Sequence, residues 1–218
     1  MGAPVNKLLL LLEGRSIFFH TLNHIAQLGC SGRLVVLCRD EERAQLQDEV
    51  KGIQWGALKP VWLAGGQERS DSVANGLKYL QSAPGAPVVF VHDGARPFVT
   101  AQLVSTLIAG LEQADVAVPA MAVAETTRRS QGEQTEVVNR DNLFLIQTPQ
   151  AFRFESIEAV FFGAQTSTQS FTDEASYFEA AGRSVKLVEG EARNIKLTRP
   201  QDLKLAELYL PHFDPREP

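Results

Sequence analysis

Val88-Val89-Phe90-Val91-His92-Asp93-Gly94-Ala95-Arg96-Pro97 is the stretch whose reading decides the fold. Four β-branched or aromatic residues in a row read as a strand buried on both faces. The run breaks into a polar loop with a carboxylate and an arginine. In an open α/β sheet that place, just beyond the carboxyl end of a strand, is where ligands bind. A helix then starts at Thr100, with Leu103, Leu107 and Leu111 at a spacing of four.

Outward from this unit the same rhythm repeats, which predicts a parallel sheet with crossover helices. On the amino-terminal side, residues 8–12 read as a short buried strand turned at Glu13-Gly14. Ser16 caps a helix through Leu28, residues 34–38 form a strand, and the acidic segment 40–50 favours helix. Residues 61–63 form a strand feeding Gly65-Gly66, and Ser70 or Asp71 opens a helix to Leu80. On the carboxyl-terminal side, residues 116–119 are a strand. Then the pattern changes: 124–129 and 135–139 are two extended arms around Ser130-Gln131-Gly132-Glu133. This polar hairpin has no core face of its own, so it is expected to pack on something else, such as a second subunit. Helices near 154–162 and 172–181, a strand at 185–188 and a helix after Pro200 complete the chain. The proline-rich end, from Pro211, is expected to fray. The reading is one α/β domain over residues 1–218, a mostly parallel sheet with flanking helices and a protruding β-arm at about 124–139.

The bulk numbers bound the function. A chain of 218 residues with 44% apolar content suits a single core. A net charge of −5 argues against a nucleic-acid partner, which needs a basic face. A few cations in a cleft still suffice for a small phosphorylated ligand. Cys30 and Cys38 are too few for a disulfide framework and read as free thiols in a reducing cytosol. No stretch reaches the ~18 apolar residues of a membrane helix, so a cytoplasmic location is expected, with no membrane partner.

Several residues carry candidate chemistry. Gly65-Gly66 permits close backbone approach or positive φ, ahead of a helix N-terminus that offers free amides. A tight turn with a helix cap explains the same residues. Asp93 can hold Mg²⁺ together with substrate phosphates, or bond the Gly94 and Ala95 amides to shape its turn. Arg96, beside Pro97, suits a bidentate phosphate contact or a solvated loop. His20 and His24, four apart on a helix, lack a third metal ligand nearby. The chain has no nucleophile elbow and no complete phosphate-binding P-loop, so covalent hydrolysis has no support.

Taken together, four motifs resemble the 2-C-methyl-D-erythritol 4-phosphate cytidylyltransferase family. They are Gly65-Gly66-Gln67-Glu68-Arg69-Ser70-Asp71-Ser72-Val73; His92 to Pro97; Arg140-Asp141-Asn142-Leu143 with Gln147-Thr148-Pro149-Gln150; and Asn194-Ile195-Lys196-Leu197-Thr198-Arg199-Pro200. The resemblance implies a Rossmann-like nucleotidyltransferase that moves CMP from CTP to methylerythritol phosphate, with Mg²⁺ at Asp93, as a homodimer through the β-arm. It implies that Gly66 and Ser72 contact the cytosine, although Gln67 replaces a usual acidic residue. Thr126, on the arm, would reach the neighbouring subunit's acceptor. Arg140 and Lys196 would position the acceptor phosphate together with Arg96, and Thr148 and Thr172 would supply further hydroxyls. Met1 to Lys7 matches the family's Arg-Met motif from the methionine onward, which makes Lys7 the lysine at the reacting phosphorus. The family's first strand, glycine loop and arginine have no counterpart, which implies two unpaired strand neighbours and low activity. Two other readings stay open: a ribitol-5-phosphate cytidylyltransferase, or an inactive nucleotide-binding or dimer-partner protein.

Overall fold

The computed structural model describes residues 6–83, 85–162 and 173–217. In chain order, a 3-10 turn at Lys7–Leu9 leads into β1 (Leu11–Leu12), β2 (Arg15–Ser16), α1 (Ile17–Gln27), β3 (Gly32–Cys38) and α2 (Asp40–Glu49). Next come β4 (Leu58–Ala64), α3 (Arg69–Ser82), β5 (Val88–Val91), α4 (Ala101–Gly110) and β6 (Val116–Ala122). The hairpin β7 (Thr127–Gln131) and β8 (Gln134–Val138) follows, then β9 (Phe144–Ile146), β10 (Gln150–Arg153) and α5 (Phe154–Phe161). The chain closes with α6 (Ala175–Ala180), β11 (Val185–Glu189) and α7 (Pro200–Tyr209).

Local chemistry accounts for several boundaries. Ser16 Oγ accepts the Phe19 N–H at 3.1 Å, and Thr100 Oγ1 accepts the Leu103 N–H at 3.0 Å. Each satisfies one orphan amide of its helix. The expected strand at 8–12 is shorter than anticipated. Asn6 accepts the Leu8 N–H and winds the chain into the 3-10 turn, so only Leu11–Leu12 is extended. Glu13 at φ 51° and Gly14 at φ 78° then make the two-residue reversal into β2.

The larger sheet has the order β11-β6-β10-β5, with β9 beside β6. Since β10 is antiparallel to both β5 and β6, those two run the same way, and β11 is parallel to β6. The reversed β10 and the antiparallel β9 are strands the sequence pattern did not resolve. The pair β3–β4 is parallel and stands apart, in register from Gly32↔Leu58 to Cys38↔Ala64. Helix α3 crosses from the end of β4 back to the start of β5. β3 also starts near the end of α3, where Arg33 Nη1 donates to Ala83 O at 2.8 Å. Strands β3 and β5 therefore run parallel, yet among the described residues neither pairs with the other. Between them lies a cavity of about 400 Å³ walled by Val35, Leu37, Val89 and Val91, with Val73 and Leu77 of α3 behind. Val88–Val91 was expected to be buried throughout. Only Val89 is, because β5 pairs along one edge and opens onto this cavity along the other.

The principal core packs Val73, Leu77, Val116, Val118, Phe152, Ile157 and Phe178 between the sheet and helices α3, α5 and α6. A second cluster joins Leu12, Ile17, Phe98 and Leu197. The end of the chain docks rather than frays: the Phe213 ring lies 4.8 Å from that of His24, and Ala101 N–H donates to Pro215 O at 2.7 Å. The β7–β8 hairpin projects with every residue exposed or half-buried, Val137 at 60%. Phe144, Leu145 and Ile146 of β9 are exposed as well. Among the described residues no helix is long and apolar enough to cross a membrane.

Candidate active site

Asp93 follows β5 and is the pivot of the site. Its Oδ1 accepts from Arg69 Nε at 3.0 Å, and its Oδ2 lies 2.8 Å from Lys196 Nζ and 3.6 Å from Arg96 Nε. Burial by itself would raise this carboxyl. The hydrogen bonds and charges of Lys196 and Arg69 outweigh burial and hold it down at about 2. It is therefore ionised at any working pH, in a setting with more cations than carboxylates.

Two cavities meet here. The first is the cleft between β3 and β5, whose mouth adds Lys7, Leu8 and Ser72. The second, about 380 Å³, is bounded by Arg96, Thr148, Gln150, Asp173 and Ser176. Arg69, Asp93 and Lys196 line both. Each comes from a different segment: the first residue of α3, the loop after β5, and the loop after β11.

A buried polar web fixes these loops. Arg96, only 9% exposed, donates from Nη1 to Asn194 O at 2.8 Å and from Nη2 to Ile146 O at 3.4 Å. Asn194 Nδ2 donates to Thr148 O at 2.9 Å, and Gln147 exchanges bonds with the Glu191 backbone at 2.8 and 3.0 Å. In this arrangement Arg96 ties backbone to backbone instead of standing free for a phosphate. These bonds between distant loops hold them in one geometry, although Arg96 Nε, Asn194 Oδ1 and Glu191 Oε2 are buried without a hydrogen bond.

The glycine turn is equally closed. A Cβ on Gly66 would sit 2.1 Å from Asp71 Cβ, so the position admits only glycine. Its freedom serves close approach rather than positive φ. Gly66 N–H donates to Ser72 Oγ at 2.9 Å, and Ser72 donates to Glu68 O at 3.1 Å. Thus the two residues assigned to the base bond each other, with Ser72 still on the cavity wall.

Of the residues singled out from sequence, Lys7, Ser72, Asp93, Arg96, Thr148 and Lys196 come together around the two cavities. Thr126 and Arg140 do not. Thr126 is exposed in the loop before β7, and Arg140 Nη1 bonds Ala124 O at the base of the arm. Thr172 lies outside the described residues. Sequence reasoning missed Arg69 and Glu174 as a pair. The signal was present in Arg69 of the glycine motif and in the acidic Asp173-Glu174 ahead of α6.

Among the described residues no cluster of three His, Cys, Asp or Glu side chains could cage a metal ion. Magnesium does not require one, since a single carboxylate plus substrate phosphates is a common arrangement. Asp93, ionised and facing both cavities, fits that donor set.

The family model for 2-C-methyl-D-erythritol 4-phosphate cytidylyltransferase matches residues 1–212. The chain is 37% identical over 212 residues to the enzyme of that name from Bacillus mycoides, covering 96% of this chain and 92% of that protein. It is 37% identical over 213 residues to the Geobacillus kaustophilus enzyme, covering 96% and 91%. The crystal structure of the Thermus thermophilus cytidylyltransferase superposes with a TM-score of 0.78 at 33% identity, covering 94% of both chains. The 4-diphosphocytidyl-2C-methyl-D-erythritol synthase from Anaerococcus prevotii gives 0.79 at 29% identity, covering 93% and 88%.

Proposed function

The chain belongs to the 2-C-methyl-D-erythritol 4-phosphate cytidylyltransferase family, and from that premise we propose that it transfers CMP from CTP to 2-C-methyl-D-erythritol 4-phosphate with release of pyrophosphate, a step of isoprenoid precursor biosynthesis. The observation that carries the reading is the placement of Asp93. It stands where two cavities meet, one beside the glycine turn and one beside the Thr148 and Asn194 loops, with Arg69 and Lys196 shared between them. A donor nucleotide and an acceptor phosphate need such a junction.

The chemistry needs no covalent protein intermediate. An oxygen of the acceptor phosphate attacks the α-phosphorus of CTP in line. One P–O bond forms as the bond to the β-phosphate oxygen breaks, and pyrophosphate leaves with the electron pair. Catalysis is positioning plus neutralisation of growing charge. Lys7 and Lys196 project half-buried side chains at the cavity mouth and meet that charge. Arg96 holds the acceptor loop in place. Asp93 would hold Mg²⁺, which would supply further charge neutralisation.

A homodimer completes the picture. The exposed β7–β8 arm and β9 face would cover a second copy, bringing Thr126 and Arg140 to the partner's acceptor phosphate. The test is pyrophosphate release from CTP, UTP and ATP, each with methylerythritol phosphate and with ribitol 5-phosphate. CTP with methylerythritol phosphate should be the preferred pair. Equal use of the three nucleotides, or preference for ribitol 5-phosphate, overturns the assignment.

A further inference from the structure

Glu174 is 3% exposed and stands just before α6, far in sequence from Arg69 and Asp93. Its Oε1 accepts from Arg69 Nη1 at 2.5 Å, across 105 residues of chain. The same guanidinium donates from Nε to Asp93 Oδ1 at 3.0 Å. Arg69 is thus gripped at both ends by carboxylates of unlike exposure. Asp93 faces the two cavities, whereas Glu174 lines neither.

The arginine itself is only partly covered, with 39% of its side chain exposed. A long side chain so exposed loses rotamer freedom when it is held still. A buried charged partner offsets that cost, because a lone buried carboxylate is strongly unfavourable. Glu174 Oε2 has no hydrogen-bond partner, so the carboxylate depends on Arg69 alone for a direct bond among the described residues. The pair is therefore constrained from the inside outward: Glu174 fixes Arg69, and Arg69 fixes Asp93 Oδ1.

We propose that Glu174 is a positioning residue for the transfer reaction, acting through Arg69 to hold the Asp93 carboxylate at the junction of the two cavities. This rests on the cytidylyl-transfer reading. Glu174 touches no substrate; its role is to keep Arg69 from swinging into solvent or onto a phosphate, and so to keep Asp93 aimed.

The test compares Glu174→Ala, Glu174→Gln, Arg69→Gln and the double variant Arg69→Gln/Glu174→Gln in the full chain. For each, kcat and the KM values for CTP and methylerythritol phosphate are measured per folded molecule, with thermal melting alongside. Misplacement of a reacting centre costs up to about a hundredfold in rate. Glu174→Ala should lower kcat by about tenfold or more while KM for CTP moves less than about twofold. Glu174→Gln, which keeps an acceptor for Arg69, should recover part of that loss. The double variant buries no lone charge and should be no slower than Arg69→Gln. A normal kcat per folded molecule in Glu174→Ala, with only a lower melting temperature, would mean that the glutamate is purely structural. So would a double variant whose loss is the product of the single losses. A wild-type chain that transfers no CMP would overturn the functional reading itself, a different pattern from transfer that is indifferent to Glu174.

Discussion

Thr148 donates its hydroxyl proton to Nδ1 of His92 at 3.2 Å and accepts the Asp93 N–H at 3.0 Å. The direction follows from the far side of the ring, where His92 Nε2 lies 2.9 Å from Arg96 O and must be the N–H. This small relay links the end of β5 to the loop before β10 and sets the backbone from which Asp93 projects. A hydroxyl assigned to substrate from sequence therefore has a structural task.

Replacing Thr148 by Val should leave the Asp93 amide and His92 Nδ1 without partners. A loss of roughly 1–3 kcal/mol is expected, since buried unpaired groups cost about that much. Thr148→Ser should stay close to wild type. Urea unfolding of the two variants checks this; equal stability of Val and wild type would mean that the relay contributes nothing.

Lys196→Ala should cost about a hundredfold or more in kcat/KM, in line with removing one charged donor from a transition state. The fold should survive, because the lysine is half-buried and Arg69 and Arg96 still face Asp93. Steady-state kinetics beside circular dichroism decides it. A loss below threefold would remove Lys196 from the reacting charge.

Acid should weaken the fold through two histidines. Burial holds His24 and His92 at about 4, against a usual 6.5, outweighing their bonds to the Pro97 and Arg96 carbonyls. The folded state therefore binds protons later than the unfolded chain. Stability is intact above 6.5, falls as pH drops from 6.5 towards 4, and stops changing through these rings below that. The loss is at most about 3 kcal/mol per ring. Asp93 adds a separate loss between its usual 3.8 and about 2. Denaturant midpoints at pH 7, 5.5 and 4.5 test the slope, which His24→Gln should flatten.

Removing the β7–β8 arm should abolish dimerisation and acceptor use together while leaving CTP binding. The arm buries nothing within its own chain, so its loss should not unfold the domain. Light scattering and calorimetry read the two effects. A deletion of Thr127 to Thr135 that stays dimeric and fully active refutes the arm's role.

An extended β-branched peptide added in trans should enter the cleft between β3 and β5 and raise both stability and activity. The cleft is walled by Val35, Leu37, Val89 and Val91, with Lys7 and Leu8 at its mouth. Each kcal/mol gained should raise the melting temperature by about 2–4 °C for a domain of this size. Unchanged melting and unchanged turnover would show that the cleft does not accept a strand.

The sequence by itself determined what depends on near neighbours. Apolar runs marked β3, β4, β5 and β6, and leucines four apart marked α4. Ser16 and Thr100 marked helix starts, and the polar hairpin marked itself by lacking a core face. It also supplied Asp93, because ligands bind beyond the carboxyl ends of strands in an α/β sheet, whereas Lys196 and Lys7 joined it only through the family resemblance. Tertiary structure alone decided who holds whom. Arg69 meets Asp93 across 24 residues and Glu174 across 105, and Arg96 serves the Asn194 carbonyl 98 residues away. No local periodicity encodes such pairs; they arise when packed elements bring distant polar groups together in a low-dielectric place, where each must find a partner. The reversed β10, the open edge of β5 and the docked tail at Phe213 belong to the same class, since each depends on which surface remains unoccupied once the core has formed.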